Sequence, residues 1–334
     1  MIIRAVEKLL DRISRLRVLV IGDIMLDHYI VGDVVRISPE APVPVVAVEN
    51  DRYALGAAAN VALNVSQLGC ATEIIGKIGI DSGGVLVENM LEGGKVFLDR
   101  SCKFSDVSTI TKARVVVRGQ QLCRIDREGK KSDYAIGSDA SLGEICEKIR
   151  IADALILSDY AKGTLTNGNI GKFIGAALEG NTFVAIDPKP ANGLKFSGVS
   201  LMTPNKQEAA QLVGLDLLHG DEFPMDEICE KICERFSPKN FAVTLGADGM
   251  VIREESGKIL QIPTYAREVF DVSGAGDTVI ACLTAALAVG ESGSRAAKFA
   301  NIAAGIVVSK HGTAAISAAE LLRCEHNHLL NSDL

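Results

Sequence analysis

Short β-rich runs alternate with helical stretches along most of this chain, and the alternation limits the fold more than any single motif. VLVIGDIML (18–26) reads as a buried strand, GAAANVALNVSQLG (56–69) as a helix and TEIIGKIG (72–79) as a strand. ALILSDY (154–160), FVAIDPK (183–189), VSLMTPN (199–205) and FAVTLGADG (241–249) continue the series, with KQEAAQLVG and DEICEKICERF as helices between strands. Strands joined by helices pair in parallel and are covered on both faces, so the expectation is an α/β fold with a mostly parallel central sheet.

Two segments break the pattern. The first, 28–50, holds three prolines and many β-branched residues without a helical period. The second, STITKARVVVRGQQLCRIDRE (108–128), alternates: Lys112, Arg114 and Arg118 point one way, Ala113, Val115 and Val117 the other. A turn near RGQQ folds it into a hairpin, and the turn register decides the face that Arg124 takes. Both segments are expected to be antiparallel strands outside the main sheet, forming either a lid over the strand ends or an ordinary edge extension. The chain has 334 residues with no internal repeat and no low-complexity linker, which favours one domain, 1–334, carrying that lid.

The formal net charge is −7, with acidic residues spread along the chain, so no surface reads as a nucleic-acid footprint. MIIRAVEKLLDRISRL has charges interleaved at helical spacing, unlike a signal peptide, and no apolar run reaches membrane-spanning length; a cytoplasmic protein with no membrane partner is expected. Eight cysteines without a CxxC pair read as reduced packing residues, and His326 and His328 offer at most weak metal affinity.

Ligands of open parallel sheets bind at the carboxyl ends of the strands. The residues ending these strands are Asp23 and Asp27, Ser158 and Asp159, Asp187 and Lys189, Asn205 and Glu208, and Thr244. FDVSGAGDTVI (270–280) adds an anion site, because residues with small or absent side chains let backbone come close to a ligand and the following helix, 277–289, presents unpaired N–H groups. Neither G-x-x-x-x-G-K-[ST] nor an early G-x-G-x-x-G occurs. Asp277, in the first helical turn, is either a helix cap or a base that takes a proton from a hydroxyl held beside a phosphate.

DVSGAGDT, NKQE (205–208) and TLGADG (244–249) resemble, in order and spacing, the signatures of the ribokinase-like, or PfkB, sugar kinases, and the similarity covers nearly the whole chain. The resemblance implies a ribokinase-like three-layer sandwich with a small β-sheet lid, and an ATP-dependent enzyme that phosphorylates a sugar hydroxyl. GDIMLD, RISPEAPVPVV, GAAANVALN, TITKAR, SDYAKG and IDPK are similar more narrowly to the family's D-glycero-β-D-manno-heptose 7-phosphate kinases, in a form without the adenylyltransferase domain that many of them carry.

Carried over residue by residue, the resemblance implies Asp277 as catalytic base and the backbone of Gly274, Ala275 and Gly276 as anion hole. It implies Asn205 and Glu208 around Mg2+ and the phosphates, Glu208 through water, with Thr244, Gly246 and Gly249 as the ATP loop and Asn301 at the adenine pocket. Asp27, Gly56 and Asn60 match the sugar side. Asp159 and Lys189 are substrate candidates that could equally be a cap and an ion pair. Lys112, Arg114, Arg118 and Arg124 are candidates for the 7-phosphate, or else solvated strand charges. Asp271 is a candidate monovalent-cation (K+) ligand, and a homodimer through the lid is expected.

Two positions depart from the family pattern. Leu55 stands where a second glycine usually precedes Gly56, and Ser273 replaces the usual threonine before GAG. Rival readings are another sugar kinase of the family, of ribokinase or fructose 1-phosphate type, and a non-catalytic sugar or nucleotide sensor on the same fold. The acidic GDIMLD argues against a dinucleotide oxidoreductase.

Overall fold

The computed structural model describes residues 3–99, 102–136, 139–217, 223–266, 268–310 and 312–326, and side chains within them except at 3, 4, 139, 140, 325 and 326. The side chains of His326 and His328 therefore lie outside the described part. Strands are β1 (Arg17–Gly22), β2 (Ile24–Ile37), β3 (Pro44–Ala57), β4 (Ala71–Ile75), β5 (Ile78–Gly79), β6 (Val96–Leu98), β7 (Lys103–Phe104), β8 (Ile110–Val117), β9 (Gln120–Arg127), β10 (Ala154–Ser158), β11 (Phe183–Asp187), β12 (Leu201–Met202), β13 (Asn240–Thr244), β14 (Met250–Arg253) and β15 (Ile259–Ile262). Helices are α1 (Ile3–Ile13), α2 (Ala58–Gln67), α3 (Ser82–Gly93), α4 (Lys131–Tyr134), α5 (Asp139–Ile151), α6 (Ile170–Gly180), α7 (Lys206–Leu212), α8 (Met225–Phe236), α9 (Ala275–Ala288), α10 (Gly293–Val307) and α11 (Ala318–His326).

Nine strands form the central sheet in the order β15-β14-β13-β12-β11-β10-β1-β4-β6, parallel except at β14 and β15. The alternation of side chains along β1 explains the layering. Val18 and Val20 face one core with residues of α1, α2, α9 and α10, whereas Leu19 and Ile21 face a second core with α5, α6 and α8. Strands buried on both faces must be apolar throughout, which is why they read as uninterrupted runs. This is the ribokinase-like architecture expected, and among the described residues no helix is long and apolar enough to cross a membrane.

The second sheet, in the order β3-β2-β8-β9, is the lid. Three expectations change here. The run 18–26 is not one strand: β1 ends at Gly22, and β2 leaves for the lid after Asp23. TEIIGKIG likewise divides into β4 and β5. The two lid segments are not joined antiparallel, since β2 pairs with β8 in parallel, Asp27 beside Lys112 and Tyr29 beside Arg114; only β2–β3 and β8–β9 are antiparallel. A parallel pairing is open to β2 and β8 because the whole of β3 to β7 lies between them.

Candidate functional site

Asp23 sits where the chain switches sheets, 1 % exposed, and its carboxylate accepts the backbone N–H groups of Tyr160 (2.9 Å), Lys162 (3.0 Å) and Thr164 (3.0 Å). It ties the loop after β10 to the root of the lid. Asp159 does the neighbouring work: it accepts from Ala161 N–H (2.8 Å), Lys189 N–H (3.0 Å) and the Asn192 amide (2.9 Å). Burial pushes its carboxyl up to about 6 against those hydrogen bonds. Its oxygens are bonded to these loop groups, an arrangement that favours the cap among the two readings of Asp159.

Asp277 opens α9 and is buried. One carboxylate oxygen accepts the Asn60 amide at 2.8 Å and the other the Tyr160 hydroxyl at 2.6 Å. Burial raises its pKa to about 6, while these two donors and Lys189 hold it down and Asp27 adds to the rise. A carboxylate titrating there is ionised at neutral pH and still basic enough to accept a proton from a hydroxyl.

Gly274 adopts φ 82°, and a Cβ there would stand 2.8 Å from the Asn60 amide nitrogen, so glycine lets the helix start against that side chain. A Cβ at Gly276 would meet nothing; its bareness keeps open space in front of the helix N-terminus. Gly276 and Asp277 lie in the first turn, where N–H groups have no partner within the helix. The Ala275 N–H is the exception, directed to the Val272 carbonyl at 3.3 Å. Asp271 accepts from the Ser273 N–H at 2.8 Å, so the substituted serine keeps the loop closed through its backbone.

The nucleotide-side candidates line the ends of β12 and β13. Asn205 and Glu208 cap α7 reciprocally, each side chain bonded to the other's N–H at 2.9 Å. Glu208 also accepts from Lys189 Nζ at 2.7 Å, and Lys189 reaches Asp187 at 3.1 Å. These carboxylates keep the Lys189 ammonium protonated, and the side chain pairs with both of them. Thr244 ends β13, and the following loop turns back through Leu245 N–H to the Gly249 carbonyl at 2.8 Å. Gly246 (φ 64°) has open space at its Cβ position, and Gly249 (φ 84°) packs so closely that a Cβ would meet the Ile262 carbonyl. The Asn301 amide donates to the Pro263 carbonyl, holding the chain after β15.

On the sugar side, Asp27 accepts from Arg114 Nη1 at 2.6 Å and from the Thr313 hydroxyl at 2.8 Å; Thr313 in turn meets the Tyr29 hydroxyl at 3.0 Å. A Cβ at Gly56 would stand 2.9 Å from the Asp27 carboxylate, while Leu55 is buried in the core and leaves that approach intact. Lys112 Nζ lies over the Tyr160 ring at 5.4 Å. Burial pulls its ammonium below the usual value, Asp27 opposes this, and the neighbouring Lys162, Arg124 and Arg114 deepen it.

Arg124 lies opposite Arg114 on the ladder and forks onto Asp126 at 2.8 and 3.0 Å, so the register places it on the Lys112 face. Arg118 does not join them. A register shift after Val115 and a left-handed φ of 51° at Arg118 put it in the hairpin turn, where it pairs with Asp33 in solvent.

Sequence reasoning singled out neither Tyr160, Lys162 nor Thr313 as a site residue. SDYAKG carried a signal for the first two, since it follows a strand end; Thr313 has none, because only the tertiary fold brings 313 to 27. Among the described residues no group of three His, Cys, Asp or Glu side chains could hold a metal directly. The open space at Gly246 and Gly276, the bare N–H groups of α9 and the single half-buried Glu208 suit a nucleotide whose own phosphates supply most metal ligands.

The sequence profile described as pfkB family carbohydrate kinase matches residues 15–320. The chain is 39 % identical over 318 residues to the bifunctional protein HldE of Sulfurimonas denitrificans, covering 95 % of this chain and 66 % of that protein. It is 42 % identical over 314 residues to HldE of Pseudomonas syringae pv. syringae, covering 94 % and 64 %. It thus spans just under two thirds of these relatives. Among solved structures it is similar to Arabidopsis thaliana ribokinase complexed with ribose and ATP (TM-score 0.72, 22 % identity, 92 % of this chain and 99 % of that one). It is also similar to Escherichia coli phosphofructokinase-2 in complex with potassium (TM-score 0.72, 18 % identity, 93 % and 99 %). The match over residues 15–320 covers both sheets and the cleft between them, and the chain belongs to the pfkB family of carbohydrate kinases, ATP-dependent enzymes that phosphorylate sugars.

Proposed function

We propose that the protein transfers the γ-phosphoryl group of ATP to the anomeric C1 hydroxyl of D-glycero-β-D-manno-heptose 7-phosphate, giving heptose 1,7-bisphosphate for ADP-heptose and the lipopolysaccharide core. The observation that carries this reading is Lys112. Lys112 is partly buried and makes no salt bridge among the described residues, yet Lys162, Arg124 and Arg114 crowd it. Arg114, Arg124 and Lys162 are themselves paired with Asp27, Asp126 and Glu128, and Asp27 also attracts the Lys112 ammonium. Lys112 is thus a partly desolvated cation of this group without a salt bridge of its own among the described residues. A phosphate on the acceptor would supply one, so the acceptor is read as a sugar phosphate and not a neutral sugar. The relatives named HldE, at about two fifths identity, support the heptose.

In this mechanism Asp27 and Asn60 hold sugar hydroxyls and Asp277 takes the C1 hydroxyl proton. The new C1–O–P bond forms as the bond from the γ-phosphorus to the bridging oxygen breaks and ADP departs. The N–H groups at the start of α9 face the charge on the transferred group. Asn205, Thr244, Gly246, Gly249 and Asn301 line the nucleotide. Mg2+, held by the phosphates and through water by Glu208, would neutralise phosphate charge, and Asp271 would serve a K+ site beside the anion hole. One domain spans the chain, and its lid pairs with that of a second copy. Val35, Ile37, Val48 and Ile125 are all more than half exposed on the lid, an apolar surface that a homodimer would cover.

An ATP-dependent assay across heptose 7-phosphate, fructose 1-phosphate, fructose 6-phosphate and ribose tests the substrate. Heptose 7-phosphate should give the highest kcat/KM by a wide margin; turnover on another sugar alone would overturn the heptose assignment and leave the family untouched. For the dimer, Ile125→Lys should convert the species seen by sedimentation to a monomer, whereas a monomeric parent protein would end that proposal.

A further inference from the structure

Tyr160 touches both halves of the cleft. Its backbone N–H is held by Asp23, its hydroxyl donates to Asp277 at 2.6 Å, and its ring lies under the ammonium groups of Lys112 (5.4 Å) and Lys189 (5.2 Å). A buried carboxylate with one firm donor can rotate about its Cβ–Cγ bond; one with a donor on each oxygen cannot without breaking a charge-assisted hydrogen bond. Asn60 fills the second place.

We propose that Tyr160 is a positioning residue for Asp277, its hydroxyl locking the plane of the carboxylate and holding its proton affinity at a value suited to accepting a hydroxyl proton. This rests on Asp277 being the base. The phenol is always the donor in the pair, because burial together with the Asp277 and Asp187 carboxylates keeps it protonated well above the ordinary range. The groups facing Asp277 are Tyr160 from the loop after β10, Asn60 from α2, Lys189 and Asp187 from the end of β11, and Asp27 from the lid. Of these, Tyr160 and Asn60 alone hydrogen-bond to it among the described residues. Tyr160 is also the one whose ring is shared by a lid lysine and a lysine of the nucleotide-side cluster, so filling either end bears on the base through a single side chain.

The test uses Tyr160→Phe, which keeps the ring under both lysines and removes one oxygen. The Asp277 carboxyl is titrated by carbon NMR in protein labelled at the aspartate carboxyl carbon, without sugar, its signal assigned by its loss in Asp277→Asn. The midpoint should rise by roughly one unit, because the hydrogen bond favoured the ionised form. The acid limb of kcat/KM should move the same way, with kcat at neutral pH falling about tenfold, as expected for a misplaced proton acceptor. KM for ATP should stay within twofold. Placing 3,5-difluorotyrosine at 160 strengthens the donor and should move the midpoint down.

Opposite shifts support the proposal. An unmoved midpoint in both variants, or shifts of the same sign, overturns it; should the Phe variant fail to fold, the sign of the fluorotyrosine shift decides. Because the titration needs no sugar, its outcome is independent of whether the acceptor is the heptose.

Discussion

The central sheet and the lid sheet meet at Asp23, yet each supplies the cleft with a different kind of group. The central sheet is buried on both faces by two cores, and what it offers at its carboxyl edge is short: loop backbone, glycines, and carboxylates such as Asp277 fastened by two donors. The lid has one face on the cleft and the other in solvent, β9 is exposed along its whole length, and it offers long cationic side chains. A packed scaffold can hold a short group within tenths of an ångström; a thin sheet can adapt long ones around a ligand. The difference teaches that damage at the scaffold edge should appear in kcat and damage on the lid in KM.

The largest effect should come from the scaffold. Asp277→Asn should lower kcat by about 10²–10⁴-fold, the usual worth of a general base, with ATP affinity by calorimetry nearly unchanged. Near-normal turnover would remove Asp277 from the chemistry. The parent enzyme should lose kcat as the pH falls through about 6, where Asp277 gains its proton. Its folded pKa is raised above the unfolded one, so this carboxylate costs the fold stability at neutral pH and ceases to do so below about 4. The same substitution should therefore not lower the melting temperature at pH 7.

Next comes the lid. Lys112→Ala should raise KM for the sugar phosphate by about 10–100-fold, the worth of one charged hydrogen bond, with kcat within about threefold. An unchanged KM would return the cluster to ordinary surface charge. At the joint between the sheets, Asp23→Ala strips an acceptor from three backbone N–H groups, that of Thr164 buried and those of Tyr160 and Lys162 partly so, and should destabilise the protein by about 2–4 kcal/mol in denaturant melts. It should also lower kcat, since the loop it holds carries Tyr160. Loss of stability alone, with normal kcat, would separate the joint from the site. The smallest effect is expected at Arg118→Ala, whose partner Asp33 is a solvent pair: KM should move less than twofold.

Much of the site was legible because its signals are local. Gly274, Gly276 and Asp277 lie within four residues, and a glycine turn entering an apolar run marks a helix N-terminus whatever surrounds it. Asn205 and Glu208 have capping-box spacing and form that box. Arg118 was misplaced because strict alternation assumes an unbroken strand, and the register shift after Val115 breaks it. Asp159 was left between sugar ligand and cap because a strand-end carboxylate carries no mark of which way it points; the three donors from residues 161, 189 and 192 are far from it in sequence or set by loop geometry.

By itself the sequence determined the layering, since strands covered on both faces must be apolar and helices covered on one must be amphipathic, and it determined that a helix starts at the glycine turn before Asp277, which is a matter of adjacent residues. Only the tertiary structure decided which carboxylates face the cleft, that β2 and β8 run in parallel, and that Tyr160 reaches Asp277 across 117 positions. Those choices depend on distances between residues far apart in the chain, set by how two sheets pack, and no local pattern of side chains encodes them.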